Sequence, residues 1–184
     1  MIAEDETLIR LDLRAQLEEA GYEVCGEARN GEEAVELAHA LRPDAVLLDV
    51  KMPGLDGVDA ARRINADRPV PIVLVTAYDD RELVARAADA GVFGYLVKPY
   101  RSNELAPAIE TAIARHRELA ELREEADTLA DALAARKSVE RAKGLLMEHE
   151  GLTEGEAFRR LRQASQRSGQ PLKVIADAIV TALT

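Results

Sequence analysis

Short apolar runs alternate with longer amphipathic segments through the first 117 residues. The clearest run is Ala45–Leu48, which is apolar on both faces and ends abruptly at Asp49. A run of this kind is typical of a strand that is covered on both faces, as in a parallel sheet. Similar runs predict four more strands, at Met1–Ala3, Tyr22–Gly26, Val70–Val75 and Gly94–Val97.

Between these runs, apolar residues recur at helical spacing. They predict five helices, at Leu8–Ala20, Asn30–Leu41, Val58–Asp67 and Asp79–Ala90, with a fifth capped by Ser102. Strands and helices that alternate at such short spacing indicate an α/β fold with a doubly wound, five-stranded parallel sheet and right-handed crossovers.

The helical pattern continues from Ile109, since no Gly or Pro occurs between Ala108 and Lys143. A seam of apolar residues in this segment follows 3-4-3-4 spacing: Leu119, Leu122, Ala126, Leu129 and Leu133. We predict a long helix in which residues 118–135 form a coiled-coil linker of about two heptads that pairs two copies of the chain. The alternative is a helix that lies on its own domain.

The remaining residues, 136–184, predict a small all-α bundle of three helices. These helices are Ser138–Glu148, Thr153–Arg167 and Pro171–Leu183, and the second starts with the Thr153 and Glu156 pair of a capping box. A bundle of this size has only a slight core, so we expect it to lean on the long helix or on a second copy.

Charge divides the chain in a similar place. The net charge is −10, which argues against adhesion of the whole chain to nucleic acid or membranes. The segment Ala134–Thr184, however, has nine Lys and Arg against six Asp and Glu. Two modules with different partners are therefore expected. Aromatic residues make up only 3% and there is no Trp, so aromatic stacking platforms are excluded as the main mode of recognition.

Cys25 is the only cysteine, so the chain forms no internal disulfide. This usage fits a reducing compartment, and we expect Cys25 to be a small buried group in the second strand. No apolar run approaches the length of a membrane span. We therefore predict a cytoplasmic protein without membrane contacts.

Polar residues follow four of the predicted strands: Glu4 and Asp5 the first, Asp49 the third, Thr76 the fourth and Lys98 the fifth. In a doubly wound sheet these strand ends meet along one edge, where ligands bind. Crowded carboxylates repel one another unless a cation joins them, and Mg²⁺ prefers such oxygen ligands.

The chemistry of such a site points to phosphoryl transfer. A carboxylate beside Mg²⁺ can attack a phosphoryl group, Lys98 can pair with that group, and Thr76 can donate a hydrogen bond to it. The carbonyl of Lys51 could add a metal ligand. Each polar residue alone is also explained by the general polarity of strand ends, but their joint occurrence is not.

With this pattern, residues 1–117 closely resemble the receiver domain of two-component response regulators. The matching segments are Glu4-Asp5-Glu6, Leu48-Asp49-Val50-Lys51-Met52-Pro53-Gly54 with Asp56-Gly57, Val75-Thr76-Ala77 and Tyr95-Leu96-Val97-Lys98-Pro99. The resemblance implies a flavodoxin-like fold in which Asp49 accepts phosphate from a histidine kinase. It also implies Mg²⁺ held by Asp5, Asp49 and the Lys51 carbonyl, with Glu4 assisting. Receivers usually have Asp at the position of Glu4, so direct or water-mediated binding by Glu4 stays open.

The same resemblance implies a switch. Phosphorylation adds nearly two negative charges, Thr76 moves toward them, and Tyr95 turns inward. Simple core packing is the alternative role for Tyr95. These movements change the face formed by the fourth helix, the fifth strand and the fifth helix. Because the fifth helix continues into the seam, that change can reach the C-terminal module.

A basic face precedes the bundle. On a helical wheel, the apolar residues Val139, Ala142 and Leu146 lie opposite a broad basic face. That face consists of Arg136, Lys137, Arg141, Lys143 and Gly144. It could bind a phosphate backbone, or it could simply be solvated.

Residues 136–184 resemble the ANTAR domain, a three-helix RNA-binding module of antitermination regulators. The segments that carry the resemblance are Ala142-Lys143-Gly144-Leu145-Leu146-Met147, Thr153-Glu154-Gly155-Glu156-Ala157-Phe158-Arg159-Arg160-Leu161 and Leu172-Lys173-Val174-Ile175-Ala176. The resemblance implies binding to RNA stem-loops, with the basic face at the RNA surface and with Ala157 and Phe158 in the bundle. Two stem-loops call for a homodimer.

We therefore predict a response regulator, not an enzyme, that controls transcription antitermination. Two alternatives remain at this stage. Thr153–Ile179 could be a helix-turn-helix that binds DNA, or the seam and bundle could bind another protein.

Overall fold

The computed structural model of the chain describes residues 1–77 and 81–184. Its centre is a sheet of five parallel strands in the order β2-β1-β3-β4-β5. The strands are β1 (Ile2–Ala3), β2 (Glu27–Ala28), β3 (Val46–Asp49), β4 (Ile72–Thr76) and β5 (Gly94–Val97). The predicted α/β fold with a doubly wound sheet is confirmed.

Four helices connect the strands and three follow one another at the C-terminal end. They are α1 (Thr7–Glu19), α2 (Gly31–Leu41), α3 (Gly57–Asp67), α4 (Arg81–Asp89), α5 (Ser102–Glu150), α6 (Glu154–Ser168) and α7 (Leu172–Leu183). The predicted start of the fourth helix, Asp79, lies outside the described residues. Within the described ranges, no helix is long and apolar enough to cross a membrane.

The second strand was predicted at the wrong residues. Pairing with β1 begins where Ile2 donates its N–H to the Gly26 carbonyl, so Tyr22–Gly26 precedes the strand instead of forming it. Cys25 is accordingly exposed, and the expectation of a buried thiol was wrong.

Both faces of the sheet are covered. Val46 and Leu48 of β3 pack with α2, α3 and α4 in one cluster of buried residues. Leu47, between them, points to the other face and joins a second cluster with α1 and the first part of α5. Side chains that alternate between two cores explain why β3 is apolar at every position before Asp49.

The chain divides into two compact units, residues 1–120 and 121–184. Helix α5 passes from one to the other, and the predicted separate helix Ser138–Glu148 is its last part. The second unit has a small core of its own, made of Ala142, Leu146, Ala157, Leu161 and Ala176. The predicted capping box of Thr153 and Glu156 starts α6.

Candidate functional site

The predicted strand-end residues meet at one edge of the sheet. Glu4 follows β1 directly, Asp49 ends β3, Thr76 ends β4, and Lys98 follows β5. The strands are parallel and adjacent in the order β1, β3, β4, β5, so these residues lie at the same level of the sheet.

Lys98 binds both acidic residues. Its Nζ lies 2.7 Å from Glu4 Oε2 and 2.8 Å from Asp49 Oδ1. The side chains of Glu4 and Asp49 are only 2% and 7% exposed, and that of Lys98 is 20% exposed. The backbone N–H of Lys98 also donates to the Thr76 carbonyl at 2.7 Å. All four of the predicted strand ends are therefore joined by direct polar contacts.

Asp5 completes an acidic cluster. One carboxylate oxygen each from Glu4, Asp5 and Asp49 lie within 4.8 Å of one another, and Asp5 faces solvent. Three carboxylates open to water on one side are the hard oxygen donors that Mg²⁺ takes. Lys51 lies two residues beyond Asp49, and its backbone N–H hydrogen-bonds the Asp49 carboxylate. The donor set therefore fits a magnesium ion.

The electrostatics of this edge favour an added cation. Burial raises the pKa of the Asp49 and Glu4 carboxyls, and the hydrogen bonds from Lys98 offset burial only in part. Burial also disfavours the Lys98 ammonium, but its hydrogen bonds to the two carboxylates outweigh that effect and raise its pKa. The single positive charge of Lys98 is therefore shared by the carboxylates of Glu4 and Asp49, which leaves negative charge at this edge for a second cation to balance.

A glycine fixes the loop that carries Asp49. A Cβ atom added at Gly57 would lie 2.1 Å from the Asp49 carbonyl oxygen, so no other residue fits there without moving the strand end. The Gly57 N–H donates to the Val50 carbonyl at 3.0 Å. Asp56 caps α3 through the Asp59 N–H and accepts from Arg86 Nη2 at 2.7 Å.

Sequence reasoning missed Arg10. Its side chain is 7% exposed, and its Nη1 donates to the Glu4 carbonyl at 2.8 Å while its Nε pairs with Glu27. This arrangement holds the turn in which Glu4 lies. Helical spacing could have identified Arg10 as buried, because it lies three residues before Leu13 and seven before Leu17 and shares their buried face of α1.

The two predicted switch residues differ in exposure. Thr76 is buried, whereas Tyr95 is 51% exposed, which rules out simple core packing for Tyr95. Both line a cavity of about 470 Å³ beside α4 and α5, together with Ala87, Phe93 and Pro107. The cavity gives the Tyr95 ring space beside Thr76.

The basic face of the second unit is smaller than predicted. Arg136, Lys137, Arg141 and Gly144 are exposed, but the Lys143 side chain is only 9% exposed. Its Nζ lies 2.5 Å from Glu154 Oε1 and 3.0 Å from Glu140 Oε2. The expectation of an exposed Lys143 was wrong, because on the wheel this residue borders the apolar stripe of α5, against which α6 packs.

Phe158 also departs from its predicted place. Ala157 is fully buried as expected, but Phe158 is 41% exposed.

Comparison with known proteins identifies both units. Residues 1–110 match the response regulator receiver domain family, and residues 127–180 match the ANTAR domain family. The chain is 50% identical over 183 residues to the transcriptional regulatory protein PdtaR of Mycobacterium tuberculosis, in a match that covers all of this chain and 89% of PdtaR. It is 36% identical over 110 residues to the chemotaxis protein CheY of Thermotoga maritima, covering 59% of this chain and 92% of CheY.

Solved structures resemble the first unit. The signal receiver domain of a modulated diguanylate cyclase from Desulfovibrio desulfuricans is 44% identical, with a TM-score of 0.59, and the match covers 63% of this chain and 93% of that one. The receiver domain of the putative response regulator NarL from Mycobacterium tuberculosis is 32% identical, also with a TM-score of 0.59, over 61% of this chain and 93% of that one. The chain therefore belongs to the response regulators and consists of a receiver domain followed by an ANTAR domain.

Proposed function

We propose that this chain is a cytoplasmic response regulator that takes phosphate from a sensor histidine kinase onto Asp49 and then binds RNA stem-loops of a leader transcript, which controls transcription antitermination. Residues 1–117 would receive the signal, 118–135 would pair two chains, and 136–184 would bind RNA. The observation that carries the proposal is the contact of Lys98 with both Glu4 and Asp49 in a chain that also has an ANTAR domain.

The residues present divide the phosphorylation step among them. An Asp49 carboxylate oxygen would attack phosphorus as the bond to the kinase histidine nitrogen breaks. Lys98 would pair with a phosphoryl oxygen, and the Thr76 hydroxyl would donate to another. Glu4, Asp5, Asp49 and the Lys51 carbonyl would hold Mg²⁺, which when bound neutralises negative charge on the phosphoryl group.

Transmission would use the Tyr95 cavity. A phosphoryl group at Asp49 competes with Glu4 for Lys98 and draws Thr76 toward it, which leaves room for the exposed Tyr95 ring to turn inward. Pro107 of α5 lines that cavity, so the change is felt by the helix that continues into the second unit.

Dimerisation would use the seam of α5. Leu122, Leu129 and Leu133 are 56%, 64% and 55% exposed. Large apolar side chains at heptad spacing are stabilised when a second helix covers them. A second copy of the chain supplies the same spacing and gives one RNA-binding module for each of two stem-loops.

The proposal is tested by measuring RNA binding and mass together. The chain is treated with acetyl phosphate and Mg²⁺, and Asp49→Asn is the matched control. We expect phosphorylation of the wild type to change both the dimer fraction and the affinity for RNA hairpins, and Asp49→Asn to show neither change. Preference for duplex DNA over RNA hairpins would support the helix-turn-helix alternative. Binding of another protein, with no binding of RNA or DNA, would support the protein-interaction alternative.

A further inference from the structure

A buried arginine contacts the peptide group that joins two of the acidic residues. Arg10 lies in α1, and its side chain is only 7% exposed. Its Nη1 donates to the Glu4 carbonyl oxygen at 2.8 Å. That oxygen belongs to the peptide group between Glu4 and Asp5, so Arg10 binds the stretch of backbone that carries both carboxylates. Arginine is almost never fully buried unless it is paired, and here a backbone carbonyl supplies part of the pairing.

The backbone of Glu4 is held on both sides. Its N–H donates to the Ala28 carbonyl of β2 at 3.1 Å, and its carbonyl accepts from Arg10. β1 ends at Ala3, and α1 begins only at Thr7. The acidic turn thus lies beyond the end of the strand, and Arg10 fixes the orientation of its first peptide group.

Glu27, the first residue of β2, holds the guanidinium in place. Its Oε2 lies 3.3 Å from Arg10 Nε, and its Oε1 accepts from Arg14 Nη1 at 2.7 Å. Arg14 lies one turn further along α1, is 46% exposed and pairs with Glu18 as well. The two arginines therefore share Glu27, but it is Arg10 whose guanidinium binds the Glu4 carbonyl.

Arg10 acts on the backbone of Glu4, whereas other groups bind its carboxylate. One carboxylate oxygen accepts from Lys98 Nζ at 2.7 Å, and the other accepts from the Glu6 N–H at 3.3 Å. The guanidinium charge of Arg10 is already matched by Glu27. Loss of Arg10 would therefore leave every acidic side chain in the chain but would free the peptide group that orients two of them.

We propose that Arg10 is a positioning residue for Mg²⁺ at the acidic edge, an inference that rests on the proposed function. By fixing the peptide group between Glu4 and Asp5, it keeps their carboxylates within 4.8 Å of each other and of Asp49 before the ion arrives. Groups that orient metal ligands without touching the metal typically contribute about tenfold to 100-fold to affinity. Phosphoryl uptake then depends on Arg10 through the affinity for Mg²⁺.

The test measures Mg²⁺ affinity and phosphorylation separately in the full chain. The dissociation constant is obtained from the rise in unfolding free energy with Mg²⁺ concentration. The rate is measured with acetyl phosphate, which transfers its phosphoryl group to Asp49 and leaves as acetate, over the same Mg²⁺ range. The variants are Arg10→Met and Arg10→Lys. Arg14→Met is the matched arginine control, and Leu13→Ala destabilises the same buried face of α1 without altering the Glu4 contact.

We expect Arg10→Met to raise the Mg²⁺ dissociation constant about tenfold. Its phosphorylation rate at saturating Mg²⁺ should stay within about twofold of the wild type, because the reacting groups are unchanged. Arg10→Lys should fall between the two, since one ammonium cannot reproduce the two-sided contact of a guanidinium. Arg14→Met and Leu13→Ala should keep the wild-type Mg²⁺ affinity within about twofold, although Leu13→Ala unfolds at lower urea.

The outcomes separate this inference from the proposed function. A wild type that neither binds Mg²⁺ nor takes up phosphate overturns both. A wild type that does both, with the same Mg²⁺ affinity in Arg10→Met, overturns the role of Arg10 alone. An equal loss of affinity in Leu13→Ala also overturns it, since the effect would then reflect general destabilisation. If Arg10→Met does not fold, Arg10→Lys decides the question by the same measurements.

Discussion

Replacing Lys98 by Met tests the charge balance of the acidic edge. The substitution keeps an unbranched side chain but removes the ammonium that lies 2.7 Å from Glu4 and 2.8 Å from Asp49. Two almost fully buried carboxylates then lack their shared cation, with Asp5 still beside them. We expect a large loss of stability at neutral pH.

The magnitude follows from the burial of the three groups. Breaking a buried ion pair costs about 3–5 kcal/mol, but the Lys98 side chain is 20% exposed and the carboxyls can take up protons, so we expect about 2–3 kcal/mol. Burial already raises the pKa of Glu4 and Asp49 above their ordinary 4.5 and 3.8, and loss of Lys98 raises both further. A carboxyl with a raised pKa in the folded state destabilises the fold as pH rises. The deficit of Lys98→Met should therefore be largest at neutral pH and should shrink toward pH 4.

The assay is urea unfolding followed by tyrosine fluorescence. All four Tyr lie in the first unit and the chain has no Trp, so this signal reports on the receiver domain. Mg²⁺ should stabilise Lys98→Met more than the wild type, because the cation replaces the missing charge. Lys137→Met, an exposed lysine of the second unit, is the control and should leave the receiver transition unchanged. Equal stability of Lys98→Met and wild type at neutral pH, or equal stabilisation of both by Mg²⁺, would refute the reasoning.

Three further predictions concern a helix cap, a partly buried tyrosine and the core of the second unit. Asp56→Ala should cost about 1 kcal/mol because the cap of α3 is lost. Asp56→Asn keeps the cap and loses only the ion pair with Arg86, and urea unfolding of the two variants distinguishes the two contributions. Burial opposes ionisation of Asp56, but the Arg86 and backbone hydrogen bonds lower its pKa, so the pair stabilises above pH 3.8 and the Asp56→Asn deficit should disappear in acid. Burial and the hydrogen bond to Glu110 raise the pKa of Tyr22 to about 12, so Tyr22→Phe should remove a tyrosinate phase near pH 12 from an absorbance titration. Leu161→Ala, in the small second core, should cost about 2–5 kcal/mol and melt that unit early in calorimetry, while receiver tyrosine fluorescence stays native.

Most of the receiver could be predicted because its strands are apolar on both faces. Ala45–Leu48 has no polar position until Asp49, and a run of this kind is typical of a strand in a sheet covered on both sides. The convergence of Glu4, Asp49 and Lys98 then follows from parallel strand direction alone. The second strand was predicted at the wrong residues because Tyr22–Gly26 has a strand-like composition. Which residues pair with β1 depends on long-range contacts that local composition does not show.

The burial of Lys143 could not be predicted from helical periodicity. A helical wheel puts it at the border between the basic face and the apolar stripe, and sequence alone does not say to which side it turns. That choice depends on Glu154, which belongs to the next helix and meets Lys143 only after α6 packs. Phe158 is similar, since a lone aromatic beside Ala157 fits a core equally well until the tilt of α6 is known.

In the proposed function, Lys98 is the residue that would connect the acidic edge to α5. Lys98 binds Asp49 and Glu4 through its side chain and Thr76 through its backbone, and α5 begins only four residues later. Under the proposed function, a phosphoryl group on Asp49 would offer Lys98 a more strongly charged partner in place of Glu4, and the exchange would act on the segment that leads into α5. No chain of intervening side chains is needed for that first step. We therefore expect Lys98→Arg, which keeps the charge but cannot keep the compact ammonium geometry, to retain much of the receiver stability that Lys98→Met loses while weakening the effect of phosphorylation on RNA binding.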